Sequence, residues 1–238
     1  MAFYSEIVDA YDAIFPYNEK QLLFVESKVG ELAAQTIMDI GCGTGSLSIA
    51  MARRSARVRG FDFDSEMLAK AEAKRPQALD LQFRQGDMRL VSNYFTPADF
   101  DAVLCLGNTL VHLNSLDEVE KTISGIAERL KPGGRFILQI VNYDRIIADK
   151  VDCLPTIKTD NYSFVRNYHH AGKDKVDFET ILKTPTATIK NSVPLLMITR
   201  DQIDKLLSKY FSAVNYFGGF DGSDWTSNSF HLVVEAIN

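Results

Sequence analysis

The chain has 238 residues, 46% of them apolar and 24% charged, the composition of a soluble globular protein long enough to bury a large core. Its 26 Lys and Arg against 31 Asp and Glu give a net charge of −5, which excludes a globally basic nucleic-acid binder. Three cysteines cannot all pair and no two form a C-x-x-C, so reduced thiols are expected. The opening residues carry Glu6, Asp9 and Asp12 with no basic stretch, unlike a signal peptide. Apolar runs such as Phe136 to Val141, broken by Gln139, fall far short of the roughly 20 residues of a membrane span. A soluble, cytoplasmic protein is expected.

In chain order, the first thirty residues read as helical. Ile7, Ala10, Tyr11, Ile14 and Phe15 recur at three- and four-residue spacing, Pro16 interrupts, and Leu22, Leu23, Val25, Val29 and Leu32 resume. Short apolar runs then alternate with amphipathic stretches. Thr36 to Ile40 precedes a helix over Leu47 to Arg54, and Arg57 to Phe63 precedes one over Ser65 to Lys74. Leu81 to Gln85 follows, then Phe100 to Leu106, a helix over Leu116 to Leu130, and Arg135 to Val141 after a Lys-Pro-Gly-Gly turn. Strands alternating with helices of this length predict a mostly parallel sheet with right-handed crossovers. From Thr159 to Lys190 the pattern changes to alternating β-branched and aromatic residues. Tyr162 to Tyr168 and Val176 to Ile181, joined by Ala171-Gly172-Lys173, predict an antiparallel hairpin. Thr199 is the expected N-cap of a helix to Tyr210, and Phe211 to Phe217 and Phe230 to Ile237 are expected closing strands.

The strongest chemical signal is Met38-Asp39-Ile40-Gly41-Cys42-Gly43-Thr44-Gly45-Ser46, in which a strand meets an acid, three glycines at alternate positions and a helix. Glycines there let the backbone turn sharply and approach a ligand closely. A dinucleotide fingerprint wants glycine where Ser46 stands, so that motif fails. Asp39, two residues before the first glycine, would repel a phosphate and suits a cationic ligand. Asp62 ends the second strand, where a carboxylate can accept both hydroxyls of a ribose. Asp87 ends the third, where it can accept from an exocyclic amine while Met88 lies on an apolar ring.

This constellation resembles the class I S-adenosylmethionine-dependent methyltransferases. The D-x-G-x-G-x-G run matches their first motif, Gly60-Phe61-Asp62 with Ser65 to Leu68 the second, and Gln85-Gly86-Asp87-Met88 the third. Phe100 to Leu106 and Leu130 to Gly134 match the fourth- and fifth-strand signatures. Cys105 to Leu113 and Val141 to Asp144 look nearest to the glycine N-methyltransferase-like small-molecule group. The resemblance implies a doubly wound α/β fold, a mostly parallel seven-stranded Rossmann-like sheet with an inserted antiparallel β-subregion. It implies one domain over residues 1–238, with N-terminal helices (1–34) over the cofactor, a core (35–142 and 191–238) and a substrate lid (143–190). It implies S-adenosylmethionine as cofactor, with Asp39, Gly41, Cys42, Gly43 and Gly45 holding the methionine moiety. Asp62 falls on the ribose, Asp87 and Met88 on the adenine, and Leu106, Gly107 and Asn108 on the donor's far side, with Phe63 and Met67 also expected to contact the cofactor. Tyr11 and Tyr17, with Tyr4, are expected to close over it.

Methyl transfer needs no nucleophile on the protein, because the sulfonium is already reactive and alignment with desolvation supplies most of the catalysis. Asn108, His112, Asn142 and Tyr143 are the substrate-side candidates, with no catalytic residue assigned among them. His169-His170 has no third ligand at metal spacing, so no metal is expected. Arg53, Arg54, Arg57 and Arg59 read as a solvated helix terminus. A small-molecule acceptor, methylated at N or O by a monomer or homodimer without membrane contact, is the expectation. The alternatives are methylation of RNA or protein, which the acidic balance and the missing Asn-Pro-Pro-Tyr type motif disfavour for nucleic acid, and a non-catalytic cofactor-binding regulator.

Overall fold

A computed structural model describes residues 4–170, 172 and 174–238. β1 (Thr36–Ile40), β2 (Arg57–Asp62), β3 (Leu81–Gln85), β4 (Phe100–Cys105) and β5 (Leu130–Val141) run parallel. α1 (Val8–Ile14) and α2 (Glu19–Val29) precede them, and α3 (Ser46–Arg53), α4 (Ser65–Lys74) and α5 (Leu116–Arg129) connect them. β11 (His231–Ile237) lies antiparallel against β5, and β10 (Ala213–Phe217) pairs with β11. The order is β10-β11-β5-β4-β1-β2-β3, the expected seven-stranded, mostly parallel sheet.

The central strands follow from their sequences. Ile37 to Ile40 are all buried, as in a parallel strand covered on both faces. α5 buries Val119, Ile123 and Ile126, one stripe of a 3.6-residue period, and starts at Ser115, whose Oγ accepts the Glu118 N–H at 3.2 Å. The Lys-Pro-Gly-Gly turn is absorbed into β5 as an irregularity between its pairings Phe100–Leu130 and Ala102–Arg135.

After β5 the chain forms α6 (Tyr143–Ala148) and a second sheet, β6 (Cys153–Lys158), β7 (Ser163–His170), β8 (Lys175–Lys183) and β9 (Thr188–Leu196), in that order and antiparallel throughout. The expected hairpin is β7–β8; Ala171 and Lys173 of its turn lie outside the described residues, as do residues 1–3 of the N-terminal helical reading. β6 and β9 were not expected, for a physical reason. Each contains a proline, Pro155 or Pro194, which a central strand excludes and these sheet edges tolerate. The expected boundary at 190–191 falls inside β9. α7 (Arg200–Leu207) opens on the expected cap, with Thr199 and Gln202 forming a reciprocal capping box.

The second sheet packs on the N-terminal segment. Phe164 and Leu182 share a buried cluster with Ile7, Ala10 and Ile14, and the Phe15 and Phe164 rings meet edge to face at 5.6 Å. No helix among the described residues is long and apolar enough to cross a membrane.

Candidate cofactor cleft

β1 ends at Ile40 and the chain turns through Gly41 to Gly45 into α3. Gly43 has φ of +56°, and a Cβ there would stand 3.3 Å from Met67 Cε and 3.6 Å from the Tyr11 hydroxyl. The position therefore demands a left-handed backbone, and an added Cβ would crowd the Met67 side chain. Gly45, at φ +76°, serves packing instead, since a Cβ would collide with the Phe83 ring of β3.

Asp62, at the tip of β2, ties this turn to its own strand. Its Oδ2 accepts the Gly43 N–H at 2.8 Å and its Oδ1 accepts the Asp64 N–H at 2.9 Å. Burial lifts the carboxyl above its ordinary pKa, and these backbone donors oppose that lift. Two oxygens with one donor each retain lone pairs for further hydroxyl groups.

Asp62 faces a cleft with about 1000 Å³ of empty space, open mouth included. The cleft sits where β1 and β4 adjoin and the order of the parallel strands reverses, the usual ligand crevice of such sheets. Of the expected residues, Tyr11, Gly41, Gly43, Phe63, Met67, Asp87, Met88, Leu106, Gly107 and His112 line it with Asp62. Asp87 is engaged in a forked ion pair with Arg89, whose Nε lies 2.9 Å and 3.0 Å from its two oxygens. Burial pushes its pKa up, but Arg89 outweighs this and holds the carboxyl below its usual range. Arg89 also reaches Glu118 at 3.7 Å, so charge rims the cleft beside Met88.

His112 lies in the wall with Nε2 3.0 Å from the Tyr4 hydroxyl. Burial drives its pKa down to about 4, so the ring is neutral at physiological pH. Tyr4 and Tyr11 are stacked edge to face at 6.2 Å, and both phenol pKa values are raised by burial.

Seven expected residues do not line the cleft. Asp39 lies beneath the turn, 4% exposed, accepting the Ser48 hydroxyl at 2.5 Å, and burial pushes its pKa up to about 6. Cys42 lies against Gly60, and Gly45 is behind the turn with it. Tyr17 is 43% exposed, beyond the α1 terminus that carries Tyr11 inward. Asn108, at φ +67°, turns its side chain to the sheet, where Oδ1 accepts the Val141 N–H at 2.9 Å and Nδ2 donates to Tyr143 at 3.3 Å. Tyr143 is fully buried there. Asn142 is also buried, and its Nδ2 clasps the loop before β11 through the carbonyls of Ser227 and Ser229, both at 2.9 Å, and Thr226 at 3.3 Å.

The inserted sheet supplies none of the lining among the described residues; it carries α1, which presents Tyr11. Sequence reasoning missed Arg89, Thr109, Leu113, Asn114 and Glu118 in the wall. Gln139 was visible only as a polar break in an apolar run. It is 5% exposed and its Oε1 accepts the Gly107 N–H at 2.9 Å, fixing the loop at the end of β4.

Residues 37–134 match the family described as a methyltransferase domain. The chain is 33% identical over 126 residues to the ubiquinone biosynthesis O-methyltransferase of Aeromonas salmonicida (strain A449), covering 52% of this chain and 51% of that protein. It is 31% identical over 147 residues to the glycine/sarcosine N-methyltransferase of Parasynechococcus marenigrum (strain WH8102), covering 60% and 51%. The chain thus spans about half the length of the curated relatives it matches. In fold it is similar to an S-adenosylmethionine-dependent methyltransferase from Clostridium acetobutylicum ATCC 824, with a TM-score of 0.81, 19% identity and 98% of each chain covered. Sheet order, glycine turn and sequence match agree: residues 37–134 match a methyltransferase domain, and the chain as a whole is similar in fold to a solved S-adenosylmethionine-dependent methyltransferase.

Proposed function

We propose that the chain transfers a methyl group from S-adenosylmethionine to a small-molecule acceptor at nitrogen or oxygen. The observation that carries this reading is Asp62, a carboxylate held by the glycine turn with lone pairs turned to an open cleft. The residues present fit the donor. Gly41 and Gly43 would admit its methionine moiety and Asp62 would accept from its ribose. Phe63, Met67 and Met88 offer apolar surface beside the Asp87 end of the cleft for its adenine. When bound, its sulfonium supplies a methyl group already activated towards nucleophiles.

The chain's own part is to orient and to dry the site. Tyr4 and Tyr11 exclude water over the glycine turn. His112, neutral and hydrogen-bonded to Tyr4, presents an uncharged ring in the cleft wall, and its lowered pKa suits an acceptor that arrives already deprotonated. The relatives' names, one for O- and one for N-methylation, support both directions as candidates. The net charge of −5 and the three free cysteines support a cytoplasmic enzyme acting on something other than a polyanion. The test is methyl transfer from isotopically labelled donor to panels of small amines and phenols. Labelled product from either class is expected. Product formed only on RNA or protein would overturn the small-molecule reading.

A further inference from the structure

Two amide side chains carry the pairing of β4 with β5 past the end of β4. The parallel register stops at Cys105–Leu138. Beyond it, the Gly107 N–H donates to Gln139 Oε1 at 2.9 Å, and the Asn108 N–H donates to the Gln139 carbonyl at 3.2 Å. The Val141 N–H then donates to Asn108 Oδ1 at 2.9 Å, and Asn108 Nδ2 donates to the Tyr143 hydroxyl at 3.3 Å. Gln139 stands among Ile137, Leu138 and Ile140, all fully buried. A buried amide in an apolar strand is costly unless its bonds are made, and here its oxygen supplies the partner that Gly107 would otherwise lack.

The loop held in this way is strained and borders the cleft. Gly107 and Asn108 follow one another in the left-handed region, at φ of +72° and +67°. A non-glycine residue stays there only where its surroundings over-determine it. Leu106, Gly107 and Thr109 line the cleft, whereas Gln139 and Asn108 do not. A Cβ added to Gly107 would have nothing within 4 Å, so its backbone faces the open space directly. Thr109 is pinned by its Oγ1, which donates to the Leu106 carbonyl at 2.7 Å. It lies against Gly41, where an added Cβ would collide with Thr109 Cγ2. The loop thus fixes the gap between the end of β4 and the glycine turn.

We propose that Gln139, with Asn108, is a positioning residue for the amino-acid arm of the methyl donor. Acting through Gly107 and Thr109, it sets the width of the cleft beside Gly41 without touching the donor itself. This rests on the methyl-transfer reading, which places the methionine moiety at Gly41 and Gly43. Small displacements of such a wall matter because transfer depends on alignment.

The test compares S-adenosylhomocysteine with methylthioadenosine, which shares the nucleoside and sulfur but lacks the amino-acid arm, by calorimetric titration of the full chain. Gln139→Met keeps the side-chain length and removes the acceptor. Asn108→Gly keeps the left-handed backbone and removes the bond to Val141. Each is expected to weaken S-adenosylhomocysteine binding about tenfold and to leave methylthioadenosine within about twofold of the parent. A merely structural role would lower both affinities or neither. Gln139→Glu and Asn108→Asp restore an acceptor oxygen and should recover most of the loss. Should Gln139→Met fail to fold, Asn108→Gly decides alone. Parental S-adenosylhomocysteine affinity in these variants, or an equal loss of both ligands, overturns the proposal and leaves the methyl-transfer reading standing. A parent chain that bound neither ligand would overturn that reading, and this proposal with it.

Discussion

The Asp62 carboxylate accepts the Gly43 N–H at 2.8 Å, so the tip of β2 and the glycine turn after β1 form one unit. The same carboxylate receives the Asp64 N–H, and Asp64 caps α4 by accepting from Glu66 and Met67. One acid thus fixes the turn, starts the next helix and still faces the cleft.

Asp62→Ala should therefore weaken S-adenosylhomocysteine binding by about 1.5–3 kcal/mol for each charge-assisted hydrogen bond left unmade. Calorimetric titration checks this, and parental affinity would refute the ribose assignment.

At Gly43 a β-branched side chain would meet both a left-handed φ of +56° and the Met67 and Tyr11 side chains. Gly43→Val should abolish donor binding while circular dichroism shows a folded chain. Binding at parental strength would make this glycine a turn residue only.

Two buried groups give opposite pH slopes in one window. Asp39, raised by burial from 3.8 to about 6, holds more protons folded than unfolded, so its contribution to stability falls as pH rises from about 4 to 6. His112, lowered by burial from 6.5 to about 4, holds fewer protons folded, so its contribution falls as pH drops through the same range. Relative to the parent, Asp39→Asn should gain on the order of 2–3 kcal/mol between pH 4 and 6. His112→Asn should gain a similar amount as pH falls from 6.5 to 4. Denaturant unfolding at several pH values measures both, and pH-independent differences would contradict the burial argument.

Asn142 clasps three backbone carbonyls and lies outside the cleft. Asn142→Ala should cost roughly 1–3 kcal/mol of stability through the carbonyls left unpaired, and leave donor affinity unchanged. A large loss of turnover at parental stability would instead return this residue to the acceptor site.

Local rules made the parallel core readable. Thr36–Ile40, Ser65–Lys74 and Leu81–Gln85 have the bounds their sequences predict, because turn residues and caps frame each run. The inserted sheet was half readable, since Pro155 and Pro194 hide edge strands from a pattern search. In the cleft, motif acids and glycines were identified, but their directions were not. Asp39 and Asn108 turn inward because Ser48 and the Val141 N–H await them, partners that tertiary packing alone brings near. Arg89 and Glu118 were invisible because surface charges on a turn and a helix carry no signal until the fold brings them to Asp87.

The central claim is that the cleft beneath Tyr4 and Tyr11 takes a sulfonium nucleoside and not a dinucleotide. Calorimetric titration of the parent chain with S-adenosylhomocysteine, S-adenosylmethionine and NAD tests it most directly. The first two should bind in the micromolar range and NAD should not, because Ser46 stands where a pyrophosphate turn requires glycine. Tighter binding of NAD than of either sulfur nucleoside would contradict the account.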